Sequence, residues 1–180
     1  MNDISRKKLE RLIEKNARLF NLKLVSKKEN PFVLWEDYHL STIVENEVFS
    51  WGLQMTIGVT EKGLIHMMMF MHPIVVEDDM CLIFIEFANA ANLWLGSTLG
   101  RFWVNYENDY CYECYLPEWL VDNLPELEQQ LFDKPFSHFK DCLTPLIQLK
   151  DRKWNVQKAI EYLDELKEAG CIDNSEYGLW

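Results

Sequence analysis

Residues 78–95, DDMCLIFIEFANAANLWL, are almost uninterruptedly apolar and too long for one strand. After Gly96-Ser97-Thr98-Leu99 comes GRFWVNYENDYCYECYL, where two aromatic-rich segments flank Glu107-Asn108-Asp109. The first reads as a helix, the second as a hairpin. A helix this apolar predicts burial over most of its circumference, and the large partner available to it is sheet. Glu77-Asp78-Asp79 fit the positive end of that helix and Gly96 sits just past its other end. Glu86, inside the apolar run, is expected to reach solvent at an edge or to pair with Arg101, because an unpaired buried carboxylate is costly. Asn89 and Arg101 flank the helix-to-hairpin junction, so replacing either is expected to damage folding or assembly.

The rest of the chain supplies that sheet. Residues 49–59 alternate Phe49, Trp51, Leu53, Met55, Ile57 and Val59 with Ser50, Gly52, Gln54, Thr56 and Gly58, the mark of a strand with one apolar face. Thr60-Glu61-Lys62-Gly63 is a turn, and residues 64–76 return as a strand, up to about Pro73, that is apolar on both sides. One register pairs Val59 with Leu64 and Met55 with Met68; a one-residue slip turns Met67, Met69 and Met71 to that face instead. Residues 22–26 begin a strand that Glu29-Asn30-Pro31 interrupts, whereas residues 32–48 show no clean period. A first helix over residues 4–20, with Asp3 as its N-cap, carries the stripe Ile4, Leu9, Leu12, Ile13 and Leu19. Beyond Pro117 and Pro125 come helices over residues 124–132, 135–149 and 155–169, the last capped by Asn155 and ended by Gly170, and a short tail ending in Trp180. The reading is α+β: an antiparallel five-stranded sheet packed with helices, order α-βββ-α-ββ-α, plus a C-terminal helical extension.

Charge narrows the partners. At −11 net, without a basic patch beyond Arg6-Lys7-Lys8 and Lys27-Lys28, the chain lacks what phosphate-backbone binding requires. A basic protein or peptide suits its field better. The longest apolar runs fall short of the ~20 residues that span a bilayer, and no export signal is evident at the N-terminus. Five scattered cysteines point to a reduced, cytoplasmic setting.

Few residues suggest chemistry. Cys111 and Cys114 have a metal or redox spacing, but on a strand an odd separation puts them on opposite faces, and the surrounding tyrosines favour a strand. His66 and His72 share a face yet lie ~20 Å apart, too far for one metal. His39 and His138 have no neighbours suggesting a triad, and Gly96 to Gly100 lacks the lysine of a phosphate-binding loop. Glu77-Asp78-Asp79 fit a cation less well than a helix terminus. The Met67-Met68-Met69 run with Met71 is either a core strand between two layers or a surface for varied partners, since methionine adapts to many shapes. The candidate protein-interaction residues are Met67, Met69, Met71, Trp103 and Tyr112; no catalytic residue, metal or cofactor is expected.

The apolar helix with Asn89 and Asn92 near its end, Gly100-Arg101-Phe102 opening an aromatic strand, and the Trp51 strand together resemble the YbjN-like family, with its type III secretion chaperone-like fold. The resemblance covers residues 1–135, leaving 136–180 as a helical extension packed on the same domain. It implies a non-enzymatic, protein-binding domain, chaperone-like or regulatory and often dimeric, with no catalytic residues to carry over. Size and acidity also fit a second expectation, a small immunity- or inhibitor-type protein that neutralises a basic partner.

Overall fold

One hairpin decides which methionines reach the core. In the computed structural model Val59 stands opposite Ile65, Ile57 opposite Met67, Met55 opposite Met69 and Leu53 opposite Met71. The slipped register is therefore the one adopted. It is set by a tight turn: Thr60 N–H donates to Leu64 O, Gly63 N–H to Thr60 O, and Leu64 N–H to the Thr60 hydroxyl. Gly63 sits at φ 76°, where a side chain would be strained.

The structure describes residues 1, 3–30, 35–94 and 98–169; for 24–30, 35–37, 39, 72–75 and 94 it describes backbone alone. Gly96, Gly170, Cys171 and Trp180, and the side chains of His39 and His72, lie outside the described residues. The elements are α1 (Asp3–Leu19), β1 (Lys23–Asn30), β2 (Trp35–Glu45), β3 (Ser50–Val59), β4 (Leu64–Val75), α2 (Cys81–Trp94), β5 (Gly100–Val104), β6 (Asp109–Pro117), α3 (Leu124–Glu128), α4 (Lys134–Lys150) and α5 (Val156–Glu168). The fold is α+β, and the strands form one antiparallel sheet in the order β1-β2-β3-β4-β6-β5. It has one strand more than the five read from sequence, because the segment without a clean period supplies β2.

Side chains alternate across this sheet, so it has an inner and an outer face. The inner rows are Tyr38, Ile57, Met67 and Cys114; Leu40, Met55, Met69, Tyr112 and Phe102; and Thr42, Leu53 and Met71. Helices reach this face through Phe84 and Phe87 of α2 against Tyr110, and Phe139 of α4 against Phe102. At the other end, Tyr38 donates to Glu10 of α1.

Several expectations need revision. Met67, Met69 and Met71 are fully buried, which removes them as a contact surface in the folded chain. Tyr112 leaves the candidate surface for the same reason, its ring packed between Phe102 and His138. The helix α2 is not buried over most of its circumference: Leu82 and Leu93 are each 80% exposed. Ile4 and Leu19 are also exposed, so the α1 stripe is Leu9, Leu12, Ile13 and Asn16. Asp3 is the first residue of α1. Glu77 and Asp79 bind the Arg152 guanidinium at 2.6 and 2.9 Å, and Asp78 accepts from Asn108 at 2.8 Å. Those acids fasten the start of α2 to the α4–α5 turn and to the last hairpin. Asn155 does cap α5, its side chain accepting from Lys158 N–H at 2.9 Å.

The junction residue that carries a contact is Asn92. Its amide donates to Phe102 O at 2.8 Å and accepts from Phe102 N–H at 2.7 Å, so it occupies the free edge of β5 as another strand would. Asn89 and Asn92 are both exposed, so what sets Asn92 apart is its pair of hydrogen bonds to Phe102 and not burial. Asn92→Ala is expected to lose on the order of 1–2 kcal/mol in urea unfolding, as both Phe102 groups lose a partner. Asn92→Asp should do no better, since it sets an oxygen against the Phe102 carbonyl. Asn89→Ala should stay within about 0.5 kcal/mol of the parent. Equal losses at Asn89 and Asn92 would show that the edge contact is not what matters.

Candidate interaction surface

Among the described residues, side-chain contacts between helices and sheet fall on the inner face. An antiparallel sheet can leave its other face to water, and such a face normally carries small or polar groups. Here it carries cross-strand rows of a different kind. Gln54, Phe70, Cys111 and Trp103 form one row, and Thr56, Met68, Glu113 and Arg101 the next. Gly58, His66 and Tyr115 form a third. Phe70, Met68 and Trp103 are half-buried by their neighbours, and Tyr115 is exposed.

Glu113 organises the polar centre of this face. Its carboxylate accepts from the Tyr115 hydroxyl at 3.0 Å and lies 2.9 Å from His66 Nε2. The His66 and Tyr115 rings stack at 4.5 Å, almost parallel. Glu113 is itself buried beneath them. Partial burial, then the Glu113 hydrogen bond, pushes the Tyr115 phenol above its ordinary value. Arg101 lies 5.8 Å from the centre of the Trp103 ring, within cation–π range, and Tyr106 meets the same ring edge-on. Tyr106 stands at the hairpin tip, where the Asn105 side chain accepts from Glu107 N–H and Asp109 N–H and Asn108 takes φ 63°. The result is a patch of rings and hydrogen-bonded polar groups linked across neighbouring strands.

The strand geometry also places the thiols. Cys111 points to the outer face beside Trp103 and Phe70, and Cys114 to the inner face beside Met67 and Gly100. They cannot share a ligand. Burial, followed by the neighbouring Glu113 charge, pushes each thiol up to about 12, which leaves both protonated and poor nucleophiles. Cys81, Cys111, Cys114 and Cys142 are all free thiols. Among the described residues no group of three or more His, Cys, Asp or Glu is placed to hold a metal ion. His138 is on α4, on the opposite side of the sheet from His66.

Two shallow depressions of about 390 and 400 Å³ lie elsewhere. One runs along α5 from Trp154 to Glu165, the other lies between Ile43 of β2 and Phe136 of α4, and neither includes His66, Glu113 or a cysteine. Glu86 is exposed on α2. No described helix is long and apolar enough to cross a membrane.

Of the candidate residues, Trp103 alone lies on the outer face. Phe70, Tyr115 and Glu113 belong to that face and were not singled out in sequence, and Met68 was noted only within the methionine run; the even spacing of His66, Met68 and Phe70 was the available signal. Compared with known proteins, the chain matches no family model, no curated protein and no solved structure.

Proposed function

We propose that this chain is a non-enzymatic protein-interaction domain, chaperone-like or regulatory, that acts in the cytoplasm as a homodimer. The observation that carries the reading is the outer face: Trp103, Phe70, Met68 and Tyr115 sit on a sheet surface that no described helix covers. Contiguous apolar and aromatic surface of this kind marks contact with other polypeptides more often than it marks chemistry. The buried, protonated thiols are compatible with a reducing compartment. The likeness to the YbjN-like family points the same way and is itself part of the proposal.

Light scattering after size exclusion tests it. The parent chain is expected to be a dimer at micromolar concentration, and Phe70→Lys, which sets an ammonium in the middle of the outer face, is expected to be a monomer with its urea midpoint little changed. A parent that stays monomeric removes the dimer from the reading. A second reading, an inhibitor of a basic protein, is favoured by the −11 charge. It would be preferred if the monomer bound a single basic protein with strong salt dependence.

A further inference from the structure

The outward side of α2 has the wrong composition for a surface helix. Leu82, Ile85, Glu86, Asn89 and Leu93 fall on one stripe at helical spacing, about 16 Å long at 1.5 Å per residue. Leu82 and Leu93 are each 80% exposed and Ile85 42%. A solvated helix face normally carries Lys, Arg and Glu in alternation. This one has a single carboxylate, Glu86, between its leucines and no cation at all.

Along the sequence on both sides of α2 the formal charge has one sign. From Gly63 to Gly100 the sequence contains no Lys or Arg, while Glu77, Asp78, Asp79 and Glu86 are all acidic. The cation that does approach the start of α2, Arg152, is engaged by Glu77 and Asp79. The middle of the stripe falls between Glu86 and Asn89, so pairing with a second copy about a two-fold axis would bring two Glu86 carboxylates together in an apolar contact without a cation.

We infer that the exposed face of α2 is a docking site for a basic amphipathic helix of another protein. Apolar residues at i, i+3 and i+11 of that helix would meet Leu82, Ile85 and Leu93, and a Lys or Arg would face Glu86. This rests on the reading of the chain as a protein-binding domain and assigns one class of partner to a surface separate from the outer sheet face. The mode is helix against helix, with leucine anchors for affinity and one ion pair for orientation.

Fluorescence anisotropy with a synthetic Leu/Lys amphipathic peptide tests it on the full chain. The peptide is expected to bind, and a Leu/Glu peptide of the same pattern is not. Leu82→Asp and Leu93→Asp should each weaken binding about tenfold or more, as truncation at an interface anchor does. Glu86→Gln should weaken it less and reduce its salt dependence. These positions are exposed, so unchanged circular dichroism and thermal melting are the accompanying controls. Equal binding of both peptides, or no effect at Leu82 and Leu93, overturns the assignment, as does a dimer that Leu93→Asp dissociates, which would make the occupant a second copy. Failure here with the dimer still abolished by Phe70→Lys leaves the proposed function standing. A parent that is monomeric and binds neither peptide sinks both.

Discussion

Gly100→Ala should lower the stability of this protein by about 3 kcal/mol and its melting temperature by roughly 6–12 °C, a large effect for one methyl group. No unusual backbone angle is involved; the reason is space. A Cβ at this position would run into Cζ and the hydroxyl of Tyr112 and stand 2.8 Å from the Glu113 carbonyl. Neither obstacle can yield cheaply. The Tyr112 ring is wholly buried, edge-on to Phe102 at 5.2 Å and beside His138 at 6.5 Å. The Glu113 carbonyl is part of β6, an interior strand paired on both sides. Nor can β5 move away freely, because Asn92 holds Phe102 through both backbone groups. A double-mutant cycle separates this contact from a general weakness of the edge. Tyr112→Leu alone is expected to cost on the order of 2–4 kcal/mol through its cavity. Combined with Gly100→Ala it should cost less than the sum by about 1–2 kcal/mol, since the missing ring is what the methyl would strike. Strict additivity would mean that the crowding is elsewhere.

Much of this architecture was legible in the order of residues, and the misses have specific causes. β3 was plain because its apolar and small residues alternate without a break, and Leu53, Met55 and Ile57 are indeed buried. β2 was not, because the alternation fails twice in succession. Thr42 faces inward, where its hydroxyl donates to Phe20 O, and Ile43 faces outward, 62% exposed. Each is the opposite of what a half-buried strand calls for. β4 is apolar on both sides, so its pattern could not choose between two registers one residue apart; the turn geometry chose. That choice moved the candidate surface from Met67, Met69 and Met71 to Met68, Phe70 and their neighbours. α2 misled for a related reason. Apolar composition predicts burial only if nothing outside the chain is meant to cover the surface, and here one side of the helix is left to solvent. The Arg152 contacts with Glu77 and Asp79 span more than 70 residues of sequence and had no local signal.

The contributions of His138 and Asp141 to stability should largely cancel between pH 6.5 and pH 4, because these two residues, one turn apart on α4, titrate against each other. His138 is buried, and neither ring nitrogen has a hydrogen-bond partner among the described groups. Burial, helped by the nearby Lys134 charge, pulls it down from 6.5 to about 4. Its neutral form fits the fold and its charged form does not. The stability it protects is intact above 6.5 and is lost as the pH falls toward 4, by about 3 kcal/mol in all at 1.36 kcal/mol per pKa step. Asp141 runs the other way. Burial pushes its carboxyl up from 3.8 to about 6, with Lys140 only partly opposing. Held ionised at neutral pH it costs about 3 kcal/mol, and that cost is relieved as the pH falls from 6 to 3.8. Single replacements should expose each arm. His138→Leu also removes two unpaired buried nitrogens, and its stability is expected to rise as the pH is lowered from 7 to 4, by up to about 3 kcal/mol. Asp141→Asn should gain up to about 3 kcal/mol at pH 7 and lose it progressively below 6.5 as His138 is forced to charge. Urea titrations at half-unit pH intervals give the slopes directly. Parallel curves for the parent and both variants would show that neither group is held away from its ordinary value by the fold.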